Sequence, residues 1–162
     1  MPVTQSTEHL DLTGVTTSVV PLVNSETHFS WEIHFKNHTL ANGVCRGKEL
    51  AEFRMYEYYV SDALATRLTT LRSLDIPAGW TINGWTGPQD HKLVGFPNID
   101  FSTDDHYYVI TKNQPKEGDD INGEWLVKVY PNTEGGSRCA ESDTVKGLTA
   151  AFSKASQYIT TF

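Results

Sequence analysis

Two pairings of an acid with a histidine carry the most direct chemical potential in this chain: Asp90-His91, within a stretch rich in Gly and Pro, and Asp104-Asp105-His106, where a strand should open. Histidine titrates closest to neutral pH, so either imidazole is a candidate general acid or base if a carboxylate orients it. Adjacent strand residues point to opposite faces, which disfavours Asp105 as the partner of His106 and leaves Asp104. The expected catalytic set is His91, His106 and Asp104.

Other patterns resemble sites but lack parts. His28, Glu32, His34 and His38 share parity along one expected strand, opposite Phe29, Trp31, Ile33 and Phe35. Residues two apart on a strand stand ~6 to 7 Å apart, awkward for one ion without a ligand from elsewhere, so no metal is expected. Gly118-Asp119-Asp120-Ile121-Asn122-Gly123 places Gly at the sharp-turn position of a calcium loop, but Gly118 and Val129 would stand at the two most demanding ligand positions and carry no carboxylate. A solvated acidic turn explains it. Cys45 and Cys139 form no CxxC and lie beside no His at ligand spacing, so two free thiols are expected. None of the serine-elbow, zincin, phosphate-loop or dinucleotide patterns occurs, and no cofactor is expected.

Aromatic residues suggest binding instead. Trp80 and Trp85 flank Asn83-Gly84 in the Gly-rich stretch, and aromatics on such segments commonly floor a ligand or partner surface. From Glu49 to Leu74, Leu50, Phe53, Tyr56, Val60, Leu64, Leu68, Leu71 and Leu74 recur at three- and four-residue steps, the signature of one helix face against a core. Met55, Tyr58 and Tyr59 point elsewhere on that cylinder and would leave an aromatic flank exposed. Trp80, Trp85, Met55, Tyr58 and Tyr59 are therefore the expected binding residues. Glu57 and Arg67 interrupt the apolar stripe, and a charge there demands a partner.

The elements that must position these residues follow from patterning. Residues 10–43 alternate and are rich in Thr, Val and aromatics, which is strand chemistry, with turns at Asn24-Ser25 and Ala41-Asn42-Gly43. The helical stretch ends before Pro77; either one helix spans about 49–74, the favoured parse, or a strand at 53–60 precedes a helix capped by Ser61. A long loop with a short strand or two fills 78–101, Tyr107–Thr111 and Trp125–Tyr130 form an antiparallel pair, and Ser142 or Asp143 caps a closing helix to about 160. The fold class is α+β: a mostly antiparallel sheet with two main helices, about 49–74 and 142–160, packed on one face. No internal repeat is visible, and a single domain, 1–162, is expected.

The chain has 162 residues and a net charge of -7 with scattered Lys and Arg, so nucleic acid is not an expected partner. The N-terminal stretch has no basic-then-apolar leader pattern, and no apolar run suits a membrane span; a soluble, cytoplasmic protein is expected. Together these readings favour a non-catalytic binding or interaction protein, self-associating or engaging a protein partner through the aromatic helix surface. The alternative is a small enzyme or carrier that binds an uncharged or aromatic small molecule, with histidine as general acid or base.

Overall fold

The computed structural model describes residues 11–86, 95–115, 119–132 and 138–162. The chain divides into two compact units, Met1–Ile76 and Pro77–Phe162. Both are α+β, and every strand pairing is antiparallel.

The first unit is a three-stranded meander, β1 (Val15–Pro21), β2 (His28–Phe35) and β3 (His38–Arg46), followed by helices α1 (Lys48–Tyr59) and α2 (Asp62–Ser73). β1 and β2 turn at Asn24 as expected, with φ 62°. The second turn lies at Lys36, not at Asn42-Gly43, and β3 runs straight through those residues. The reason for glycine there is packing. A Cβ on Gly43 would lie 2.5 Å from the Trp31 Nε1, because the indole lies across the backbone of its register partner.

The expected helix over 49–74 is two helices, and the strand at 53–60 does not form. Ser61 is extended and caps α2: its Oγ accepts from Leu64 N at 3.3 Å and donates to Tyr58 O at 2.6 Å. That break resets the helical phase. In α2 the stripe faces inward as expected, with Leu64, Leu68 and Leu71 buried. In α1 it faces outward: Leu50, Phe53, Tyr56 and Val60 are exposed, whereas Ala51 is buried and Met55 and Tyr58 are half-buried.

The second unit is a five-stranded meander, β4 (Thr81–Thr86), β5 (Phe96–Ser102), β6 (His106–Lys112), β7 (Glu124–Pro131) and β8 (Glu141–Lys146), closed by α3 (Leu148–Thr161). Residues 142–146 belong to the edge strand β8 rather than the closing helix, because they pair with Glu124–Lys128 of β7. Gly147, not Ser142 or Asp143, stands at the helix start. α3 buries Leu148, Ala151, Phe152, Ala155 and Tyr158, an i, i+3, i+4 pattern, while Ile82, Ile99, Ile110 and Val127 form a buried row across the sheet.

The two units share a supersecondary pattern that the sequence conceals. Each runs a three-stranded meander into a positive-φ glycine and then a helix that contacts the meander: β1-β2-β3-Gly47-α1 and β6-β7-β8-Gly147-α3. Gly47 has φ 98° and ψ 140°, Gly147 φ 92° and ψ 144°. Gly47 N–H donates at 2.7 Å to the carbonyl of Thr27, just before β2; Gly147 N–H donates at 2.8 Å to that of Gly123, just before β7. Arg46 pairs with His28 and Lys146 with Glu124. Buried Ala51 and Ala151 each donate back to their junction glycine. From strand end into the helix the alignment keeps a constant offset of 100 residues, with Ala51 matching Ala151 and Tyr58 matching Tyr158, although Lys48 and Glu52 are exposed where Leu148 and Phe152 are buried.

A Cβ placed on either junction glycine would meet no atom within 4 Å, so the need for glycine is conformational. Gly47→Ala and Gly147→Ala are each expected to lower unfolding free energy by about 1–3 kcal/mol, read by chemical denaturation. A neutral result at either junction would show that the local backbone tolerates a side chain there.

Candidate functional site

Two surfaces concentrate side chains that can bind. The first is on α1. Its outward stripe comprises Leu50, Phe53, Tyr56 and Val60, exposed by 42%, 56%, 63% and 44%. Beside it, Val15, Thr17, Met55, Tyr56 and Tyr59 line a recess of about 240 Å³ between β1 and the helix. Tyr56 belongs to both, so stripe and recess are continuous.

The inner side of α1 is fixed by aromatic packing. The Tyr58 ring lies 6.0 Å from Trp31 and 5.4 Å from the Arg67 guanidinium, which donates to Leu40 O at 2.7 Å. Burial pushes the Tyr58 phenol up and the Arg67 guanidinium down from their ordinary values. Arg67 thus finds its partner in a carbonyl and an aromatic face. Glu57, the other charge in the expected stripe, is exposed and pairs with Arg54 at 3.1 Å. Of the expected binding residues on this helix, Met55 and Tyr59 reach the recess and Tyr58 packs inward.

The second surface is the face of the five-stranded sheet away from α3. Register places Asp100, Val109, Lys128 and Ser142 in one row and Tyr107 with Tyr130 in the next. Tyr107 donates its hydroxyl to Asp100 Oδ2 at 2.8 Å, and the Asn83 amide donates to the same oxygen. Asn83 reaches it from a β-bulge, since the register between β4 and β5 shifts between Ile82 and Gly84. Bulges on edge strands re-aim side chains in this way. The Tyr107 phenol is pushed up to about 12, first by burial and then by its hydrogen bond to the Asp100 carboxylate. It stays protonated at neutral pH and acts as a donor, not as a base.

Next to that network, Asn83, Thr86, Asn98, Val109 and Thr111 line an open recess of about 390 Å³. Thr86 Oγ1 donates to Asn98 Oδ1 at 3.0 Å. Lys112, which also borders the recess, is 5% exposed, with its ammonium 5.2 Å from the Phe96 ring and 5.7 Å from that of Trp125. Among the described residues it has no carboxylate partner.

No family model, curated protein or solved structure matches the chain. The site therefore rests on geometry alone.

The remaining candidates are placed apart from these surfaces or outside the described residues. His91 lies outside them. His106 opens β6 with its ring 5.5 Å from Phe162 and 6.2 Å from Tyr108, and its side chain makes no hydrogen bond with Asp104 among the described residues. Asp104 is an exposed turn residue. Trp80 is buried between Phe101, at 5.3 Å, and Phe152, at 5.5 Å, while Trp85 is half-buried on β4 and pairs with Pro97. His34 bonds Glu32 at 2.8 Å, His28 bonds the hydroxyls of Ser25 and Thr27, and no group of three metal-ligating side chains gathers among the described residues. Asp120 Oδ1 accepts from Asn122 N, a local turn. Both cysteines are free thiols. Among the described residues no helix is long and apolar enough to cross a membrane.

Sequence patterning alone does not single out Asp100, Tyr107, Asn83, Asn98 or Lys112. Their signal is the alternation of 106–112 itself: Tyr107, Val109 and Thr111 share one face, and pairing with 96–102 sets Asp100 beside them.

Because Tyr107 titrates near 12 folded and near 10 unfolded, deprotonation favours the unfolded chain in that interval. Its contribution to stability is whole below pH 10 and is lost as pH rises toward 12. Ultraviolet titration should show one late phenol missing from Tyr107→Phe and moved toward the ordinary range in Asp100→Asn. A Tyr107 that titrates normally in the wild type would contradict the geometry.

Proposed function

We propose that this protein is a non-catalytic interaction module whose α1 stripe, with the adjoining recess, docks against a protein partner. One observation carries the reading. The four large exposed side chains on α1 and its C-cap have counterparts on α3 at the 100-residue offset, where Leu50, Phe53, Tyr56 and Val60 are replaced by Ala150, Ser153, Ser156 and Thr160. All eight positions are exposed. The same scaffold therefore tolerates a small, polar outer face, and the large apolar one in the first unit is not something the fold demands. Contiguous exposed apolar surface on a soluble chain commonly marks an interaction site.

The chemistry favours protein over lipid. Glu49, Glu52 and Glu57 outnumber Lys48 and Arg54 on α1, and the chain carries -7 overall, both unfavourable at an anionic membrane surface. A recess bordered by Tyr56 and Tyr59 suits an anchoring side chain of the partner, and aromatic anchors dominate binding energy at protein interfaces.

A photo-crosslinking amino acid placed at Phe53, with Ser153 as the matched control, tests this in cells that make the protein. A discrete protein adduct should form at 53, be absent at 153, and disappear when Tyr56→Ser is added. The adduct's mass separates a second copy of the chain from a different protein. No adduct at 53, or equal labelling at both positions, would end the proposal.

A further inference from the structure

We propose that the open face of the five-stranded sheet is a second, independent binding site, for an uncharged, hydroxyl-rich small molecule of the saccharide class. The recess of about 390 Å³ falls within the size range of small-ligand sites, and its walls come from β4, β5 and β6, with Pro115 beyond the end of β6 at its border.

The donor and acceptor set argues for the ligand class. Asn83, Thr86, Asn98 and Thr111 present neutral amides and hydroxyls to the recess, and Asp100 and Tyr107 join it through Asn83. A sugar hydroxyl both donates and accepts, so a mixed amide and hydroxyl surface satisfies it where a surface of one kind does not. Thr86 engages the Asn98 amide through its oxygen, which leaves that amide's N–H groups to donate to a ligand. Val109 and Pro115 within the recess supply apolar area for the C–H face of a sugar ring.

Charge excludes the nearest rival. Among the described residues the one charged side chain bordering the recess is Lys112, 5% exposed with its ammonium against the Phe96 and Trp125 rings. The other polar lining groups are neutral, so an anion finds no open cation there. The site is also pre-organised: two donors hold Asp100 Oδ2, and the bulge at Asn83 fixes the amide over it. Side chains ordered before binding need not be ordered by the ligand.

Titrating the isotope-labelled chain with D-glucose, maltose and N-acetylglucosamine, and separately with inorganic phosphate, tests the site by nuclear magnetic resonance. At least one saccharide should give saturable shifts at the Asn83 and Asn98 side-chain amides and the Thr111 backbone. Asn98→Ala and Thr86→Ala, both conservative truncations on an open face, should each weaken that binding by about tenfold with the rest of the spectrum unchanged. Phe53→Ser should leave it intact, which separates failure here from failure of the α1 interface. No saturable shift with any of the three saccharides overturns the proposal, as does binding that survives both variants or shifts produced by phosphate in their place.

Discussion

The positive-φ glycine at each strand-to-helix junction is the constraint on which the rest of the architecture depends. With φ near 95° and ψ near 140°, Gly47 and Gly147 occupy backbone space that side chains make costly. Only one residue separates β3 from α1 and β8 from α3. A helix entered so abruptly has little choice of where to lie: it folds back over the meander that it has just left. The junction amide, bonded to the carbonyl before the middle strand, ties that return to the sheet. In each unit one sheet face is thereby covered and the other left open, and both candidate surfaces follow from that division.

Each surface uses the division differently. On the first unit the helix that covers the sheet also carries the apolar stripe, so its inner and outer sides are both committed: Ala51, Met55 and Tyr58 inward, Leu50, Phe53, Tyr56 and Val60 outward. On the second unit the helix carries small and polar side chains outside, and the polar network and its recess lie on the sheet face away from it. There a bulged edge strand and an aspartate held by two donors create a pre-organised polar floor. A helix that is apolar on both sides stabilises nothing extra in isolation, because its outer carbon surface still meets water.

The α+β class, the antiparallel pair of β6 and β7, the buried stripe of α2 and, on α3, buried Leu148, Phe152 and Ala155 are legible from spacing alone, whereas Ala151 and Tyr158 complete that core unannounced. Periodicity misleads where a local device outranks it. Leu50, Phe53, Tyr56 and Val60 continue the α2 stripe in phase along the sequence, but the Ser61 cap interrupts the cylinder and the two halves turn independently. Asn42-Gly43 has turn chemistry, yet the glycine serves the approach of Trp31 within a strand. Ser142 and Asp143 suit a helix cap, yet edge pairing with β7 claims them. The repeated meander is hidden in the sequence because few side chains recur: Gly, Ala and Tyr match at the offset of 100, while the outer positions differ, Ala, Ser and Thr on α3 against Leu, Phe, Tyr and Val on α1. The polar floor is invisible for a different reason, since Asp100 and Tyr107 meet across a register that the sequence does not print.

That difference between the two outer faces underlies our proposal that the outer face of α1 serves a partner rather than the fold. Equilibrium unfolding of the chain carrying the face of α3 on α1, Leu50→Ala, Phe53→Ser, Tyr56→Ser and Val60→Thr together, tests it most directly. The account predicts an unfolding free energy changed by no more than about 0.5 kcal/mol per substitution, as expected for surface positions. A loss of about 2–5 kcal/mol at each large side chain, the scale of core truncation, would show that the stripe belongs to the protein's own interior and contradict the account.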